Sequence, residues 1–275
     1  MNIQKLVTIL VEAGIEENEA KREIKMLLEH FCNFTEKDIL LGKEAFTEDI
    51  DKVIEKVKLR AQTRMPIQYI IGEAWFMGDF FKVTPDVLIP RDETEILVRE
   101  AIQLVKENNF EDVLDIGTGS GCIACTIAKN TDATVLGVDI SSDALRIALD
   151  NVTKLGINNR AIFRKSDLFE RVREGESFDI IISNPPYIPI GTELSEEVIK
   201  EPDIALFADE NGLYFYRKII EKAPEYLNIG GYLMFELGIN ESEAVKKMME
   251  KNFVDIKTIK DLANIDRVII GKYQG

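Results

Sequence analysis

Two short segments hold residues whose types and spacing could do chemistry. The first is Asp115-Ile116-Gly117-Thr118-Gly119-Ser120-Gly121. Glycines let a backbone turn tightly and let a ligand approach without meeting a Cβ. A helix that starts just after such a turn offers unpaired N–H groups. The spacing is G-x-G-x-G, with Cys122 next, whereas the dinucleotide fingerprint is G-x-G-x-x-G. Asp115 stands just ahead of the glycines. A carboxylate there repels a pyrophosphate and can reach the charged end of a cation, which favours S-adenosylmethionine over NAD. Asp139 closes the next apolar run, where one carboxylate can accept both hydroxyls of a ribose. Asp167 follows the third run and could accept from an adenine amine.

The second segment is Asn184-Pro185-Pro186-Tyr187, directly after the apolar run from Phe178 to Ser183. Two prolines stiffen the chain and remove two N–H donors. The Asn184 side-chain oxygen and the Pro185 carbonyl are then presented as acceptors for an amide-type NH₂. Tyr187 adds a flat face. Such a loop fits methyl transfer to a planar nitrogen. The delocalised lone pair is a weak nucleophile, so holding it in line with a sulfonium methyl supplies much of the catalysis. Hydrogen bonds that favour a more tetrahedral, more positive nitrogen stabilise the transition state. This chemistry needs neither a histidine nor a metal.

The composition agrees. Among 275 residues there are one histidine, His30, and three cysteines, Cys32, Cys122 and Cys125. Cys122-x-x-Cys125 has no second pair to complete a zinc tetrahedron, so no metal is expected and both read as small packing residues on a helix. No disulfide framework is supported, which points to a reducing cytoplasm. The 49 acids outnumber the 34 bases, a formal net charge of −15. That argues against nucleic-acid backbone as the partner and permits a basic protein. No apolar run nears the roughly 20 residues of a membrane helix. The segment from Met1 to Gly14 lacks the marks of a signal peptide.

The elements that must position these residues follow from hydrophobic periodicity. Helices are expected from Ile3 to Gly14, from Glu17 to His30, from Glu36 to Leu41 with Thr35 and Asp38 as a capping box, and onward from a Thr47 cap. Between Pro66 and Pro90, aromatic and β-branched residues broken by glycines predict a β-hairpin. Beyond Glu93, strands and helices alternate, with strands near 113–116, 134–138, 161–165, 178–183, 231–237, 256–259 and 267–271. Helices are expected over 95–106, 122–129, 142–155, 211–222 and 241–251. The alternation implies a mostly parallel sheet covered on both faces, with ligands beyond the C-terminal strand ends.

With these motifs in hand, the sequence resembles the release-factor glutamine methyltransferase family (HemK/PrmC) over nearly its whole length. The residues that carry the resemblance are Met65 to Gly72, Val87-Leu88-Ile89-Pro90-Arg91 with Thr94-Glu95, the glycine turn, Asn184 to Tyr187, Glu201-Pro202 with Ala205-Leu206, and Arg267-Val268 before Gly271. The resemblance implies a helical domain over 1–64, a hairpin linker over 65–90 and a Rossmann-like class I methyltransferase domain over 91–275, built on a seven-stranded sheet. It implies methylation of the Gly-Gly-Gln glutamine of class 1 peptide-chain release factors by a monomer, with S-adenosylhomocysteine as product. S-adenosylmethionine would lie along Gly117 to Gly121, Asp139 and Leu168, with Asn184 at its methyl end. The target glutamine would sit against Asn184, Pro185, Pro186 and Tyr187. Leu168 stands where relatives often carry Trp, and Asp92 where Pro is common. An adenine-N6 methyltransferase acting on nucleic acid is the alternative enzyme, since adenine offers the same planar amine. A non-catalytic adaptor is the alternative outside enzymes.

Overall fold

The computed structural model describes residues 3–41 and 47–275. The chain forms two compact units. One runs to Glu73 and takes in Leu194–Lys200. The other comprises Ala74–Glu193 and Glu201–Gly275.

The first unit is helical: α1 (Ile3–Glu12), α2 (Glu17–Cys32), α3 (Glu36–Leu40), α4 (Thr47–Thr63) and α5 (Ile67–Ile71). Thr35 and Asp38 form the expected capping box on α3. The cap expected from the Thr47 side chain lies outside the described residues. Apolar faces of α1, α2 and α4 close on one another through Leu6, Leu10, Ile24, Leu27, Val53 and Val57. An ion pair, Arg60 with Glu23, is buried with them. Arg60, 1% exposed, donates from Nε and Nη2 to Glu23 at 3.0 and 2.9 Å, and from Nη1 to Glu197 at 3.1 Å. Helix α5 departs from the expected hairpin. Its residues suit a strand, but Pro66 precedes the first turn and Gly72 ends it in the left-handed region, donating to the Gln68 carbonyl at 2.7 Å.

The hairpin itself is β1 (Glu73–Phe76) and β2 (Asp79–Lys82). Met77 and Gly78 turn it with positive φ, as a tight hairpin demands. Phe76 and Phe81 are buried in the core of the second unit, which takes in the hairpin from Ala74 onward.

The remaining elements are α6 (Thr94–Asn108), β3 (Asp112–Ile116), α7 (Cys122–Asn130), β4 (Thr134–Asp139), α8 (Ser142–Leu155), β5 (Ala161–Lys165), β6 (Phe178–Ser183), β7 (Ile188–Pro189), β8 (Phe207–Ala208), α9 (Tyr214–Lys222), β9 (Leu227–Glu236), α10 (Ser242–Met249), β10 (Phe253–Lys260) and β11 (Asp266–Tyr273). The seven-stranded sheet has the order β10-β11-β9-β6-β3-β4-β5, and only β11 runs against the rest. Alternate residues of the central strands fill two cores. Val113, Val135, Ile180 and Ile182 meet α6, α7 and α8. Leu114, Leu136, Val138 and Ile181 meet α9 and α10. Cys122 and Cys125 sit in the first core, where burial pushes the Cys122 thiol up to about 12. The helix expected from Asn211 begins later, at Tyr214, because Asn211 and Gly212 both take positive φ. No helix among the described residues is long and apolar enough to cross a membrane.

Replacing Arg60 with Leu strands the Glu23 carboxylate in an apolar interior. A loss of roughly 3–5 kcal/mol is expected, read as a lower denaturation midpoint of the helical unit, whereas a surface lysine such as Lys58 should tolerate the same change.

Candidate active site

Strand β3 has β4 on one side and β6 on the other. The chain reverses its direction of travel across the sheet here, and such a switch point opens a crevice at the C-terminal strand ends. A cavity of about 270 Å³ occupies it. Its floor is made of strand ends: Ile116 and Gly117 after β3, Asp139 after β4, Ser166 and Asp167 after β5, and Ser183 and Asn184 after β6.

The glycine turn is stitched to β4. Gly117 and Thr118 donate their N–H groups to the Val138 carbonyl at 2.9 and 3.0 Å, and Gly119 donates to Asp139 Oδ2 at 2.8 Å. Asp139 Oδ1 takes the Ser141 N–H at 2.8 Å. Burial raises the Asp139 pKa while these N–H groups pull it back. The glycines serve different ends. A Cβ on Gly117, at φ +73°, meets nothing within 4 Å and would stand in open space. A Cβ on Gly121 would come within 3.0 Å of Ala148 and Phe163, so that glycine serves the packing of α8 and β5.

Of the residues expected at a cofactor, Gly117, Gly119, Asp139, Asp167, Leu168 and Asn184 line the cavity. Asp115, Thr118, Ser120 and Gly121 do not. Asp115, expected to reach a ligand's charged end, is fully buried. Strand alternation turns it toward α7, where Oδ2 accepts the Thr118 hydroxyl at 2.6 Å. Burial pushes its carboxyl up to about 7. Asp115 therefore shapes the turn from beneath. Leu168 holds a positive φ of 43°, and its carbonyl accepts the Ser166 hydroxyl at 2.8 Å.

Asn184, Pro185 and Pro186 line the cavity, whereas Tyr187 turns away from it and packs into the second core. The Asn184–Tyr187 loop leads from β6 into β7, where Ile188 pairs with Phe207. Gly212 lies under this loop, where any Cβ would overlap the Tyr187 carbonyl.

Several residues here went unassigned in the sequence reading. Asn184 donates from Nδ2 to Thr94 Oγ1 at 3.2 Å, and Thr94 donates to Glu236 Oε2 at 2.5 Å. Glu201, 4% exposed, accepts the Ile89 N–H at 3.0 Å and pairs with Arg91. It thereby joins the wall formed by Asp86, Val87 and Leu88 to the wall formed by Pro202, Ile204 and Ala205. Asp92 still makes a turn into α6, its carbonyl accepting the Glu95 N–H at 3.2 Å. One sequence signal was available for Glu236: a lone acid ending the apolar run Leu233-Met234-Phe235.

The cavity wall includes Asp86, Asp139 and Asp167 and, among the described residues, no Lys, Arg or His. That wall suits a cationic ligand and repels an anionic one.

Fold and cavity together define a class I methyltransferase. The sequence matches a family described as "Methyltransferase domain" over residues 107–269, and one described as "PrmC N-terminal domain" over residues 3–72. A methyltransferase from Pyrococcus furiosus shares the fold at a TM-score of 0.53 and 18% identity, over 84% of this chain and 100% of that one. A 16S rRNA methyltransferase from T. Thermophilus in complex with AdoMet and guanosine does so at 0.55 and 19%, over 74% of this chain and 50% of that one. A release factor glutamine methyltransferase of Bacteroides thetaiotaomicron is 39% identical over 96% of this chain and 98% of its own length, and one of Streptococcus pneumoniae is 36% identical over 98% of each. The chain belongs to the release factor glutamine methyltransferase family.

Gly212→Ala should displace the Asn184–Tyr187 turn at a cost of roughly 1–3 kcal/mol, lowering both the melting temperature and methyl transfer. A wild-type melting temperature in this variant would contradict the close approach. A pH series offers a second check. Asp115, Glu236 and Glu241 are each pushed up to about 7 by burial, from ordinary values of 3.8, 4.5 and 4.5. The folded chain therefore holds protons that the unfolded chain has lost. Their contribution to stability is fullest below the ordinary values and declines as pH rises through about 7. Melting temperatures should accordingly be higher at pH 6 than at pH 8.

Proposed function

We propose that the chain transfers the methyl group of S-adenosylmethionine to the side-chain amide nitrogen of the Gly-Gly-Gln glutamine in peptide-chain release factors. One observation carries this reading. A cavity lined by three aspartates and, among the described residues, by no basic side chain includes Asn184, a neutral carboxamide held by Thr94.

The residues present fit the cofactor. Gly117 and Gly119 leave room for it at the turn, Asp139 offers carboxylate oxygens to a ribose diol, and Ile140 and Leu168 supply apolar surface beside Asp167 for a flat ring. The acid wall suits a positive charge. When bound, S-adenosylmethionine supplies a methyl group on a cationic sulfur; the carbon–sulfur bond breaks, a carbon–nitrogen bond forms and one amide proton leaves.

The chain's own part is orientation. Asn184 Oδ1 and the Pro185 carbonyl accept the two N–H bonds of the incoming carboxamide and fix its plane. Pro186 stiffens the turn. These acceptors reward an amide nitrogen whose protons grow more acidic as its lone pair is drawn out, so they bind the transition state better than the ground state. A nitrogen that has gained the methyl group and still keeps both protons is positively charged and strongly acidic, so it gives one proton up to water and no imidazole is required. Tyr187 acts from behind, by packing. The helical unit, which matches the family's N-terminal domain, would dock the release factor, and the net charge of −15 favours a basic partner surface.

Incubation with labelled S-adenosylmethionine and a release factor should place label on the Gly-Gly-Gln glutamine, mapped by mass spectrometry. Label on nucleic acid instead would overturn the reading. Asn184→Ala should keep the cofactor dissociation constant while kcat falls about a hundredfold or more; a parallel loss of both would contradict the role given to Asn184.

A further inference from the structure

An asparagine amide can face either way, and its hydrogen-bond partners decide which. Asn184 Nδ2 lies 3.2 Å from Thr94 Oγ1, which lies 2.5 Å from Glu236 Oε2. Thr94 has one proton to give. If that proton goes to the Glu236 carboxylate, the Thr94 oxygen is left to accept, and only the NH₂ end of Asn184 can face it.

We propose that Thr94 and Glu236 are positioning residues that hold the Asn184 oxygen toward the substrate amide, so that only the ionised form of Glu236 leaves this acceptor free. The proposal rests on the functional reading above, in which Asn184 Oδ1 takes a substrate N–H. Protonation of Glu236 reverses the chain of donors. The carboxylic O–H then donates to Thr94, the Thr94 hydroxyl donates to Asn184 Oδ1, and the amide turns to present NH₂ to the cavity. Two NH₂ groups then face each other and the substrate is refused.

The setting supports such a reversal. Thr94 and Glu236 are each 2% exposed, so water does not compete for these bonds. Glu93 and Arg91 ahead of α6, Arg267 on β11, Tyr187 beyond β6 and Cys122 at the start of α7 surround the carboxyl. Arg267 is shared with Asp261 at 2.9 Å, and Arg91 with Glu201, so neither cation is dedicated to Glu236. Burial outweighs them and pushes the Glu236 carboxyl up to about 7.

The test measures kcat/KM for a release factor against pH, beside cofactor binding by calorimetry. Wild-type activity should rise through an apparent pKa near 7. In Glu236→Gln the activity that remains should show no such limb. Thr94→Val should lose about tenfold or more in kcat/KM, the worth of one well-placed hydrogen bond. It should do so with an unchanged cofactor dissociation constant, and Thr94→Ser should restore activity. A limb that persists in Glu236→Gln overturns the proposal, as does a Thr94→Val enzyme as active as wild type. Should Glu236→Gln fail to fold, the Thr94 pair decides alone. A wild-type chain that labels no release factor defeats the functional reading and this proposal together, whereas a labelled release factor with an unimpaired Thr94→Val defeats only the relay.

Discussion

Ser183 pairs with Ile116 across two adjacent parallel strands, and its hydroxyl donates to the Ile116 carbonyl at 2.7 Å inside the core. The rest of the site depends on this register. It sets the glycine turn that follows Ile116 beside the carboxamide that follows Ser183, although the two are far apart in sequence. A slip of one residue would turn every side chain of β6 to the opposite face and carry Asn184 away from the cavity. Strand β6 is buried on both faces, and Ile180, Ile181 and Ile182 are at or near zero exposure, so such a slip would open both cores at once.

Around that register the chain spends its buried polar groups on orientation. Asp115 holds Thr118 from under the turn, Asp139 holds Gly119 and Ser141, and Glu201 holds Ile89 and Arg91. Each carboxylate accepts from backbone or hydroxyl donors that would otherwise let a loop shift. In a low-dielectric interior such bonds are costly to break and hard to replace by water. The cavity edge is therefore defined by fixed groups, as orientation of a weak nucleophile requires.

Most of this architecture was legible in the sequence, for physical reasons that differ by element. The central strands announce themselves because burial on both faces demands continuous apolar runs such as Phe178 to Ser183. The helix expected over 142–155 is α8, which the structure closes with the Ser141 cap and with Gly156 in the left-handed region. Helix α5 is hidden because its Ile and Tyr residues also suit strands, and the proline and glycine that bound it also suit turns. The faces that Asp115 and Tyr187 take are hidden for a different reason. Sequence shows that an acid precedes the glycines and that a tyrosine follows the prolines, but which face each side chain takes depends on pleat and on the path of the loop. Thr94 and Glu236 were invisible as a pair, since 142 positions separate them and only the packing of α6 against the end of β9 brings them together.

The central claim is that the site selects an uncharged carboxamide and aims its nitrogen. The most direct measurement compares methyl incorporation into a release factor carrying the Gly-Gly-Gln glutamine with the same protein carrying glutamate there. Glutamate would present no N–H to the acceptors proposed at Asn184 and Pro185 and would bring a negative charge to a wall that holds Asp86, Asp139 and Asp167. Label is expected with glutamine and absent with glutamate; equal incorporation into both would contradict the account.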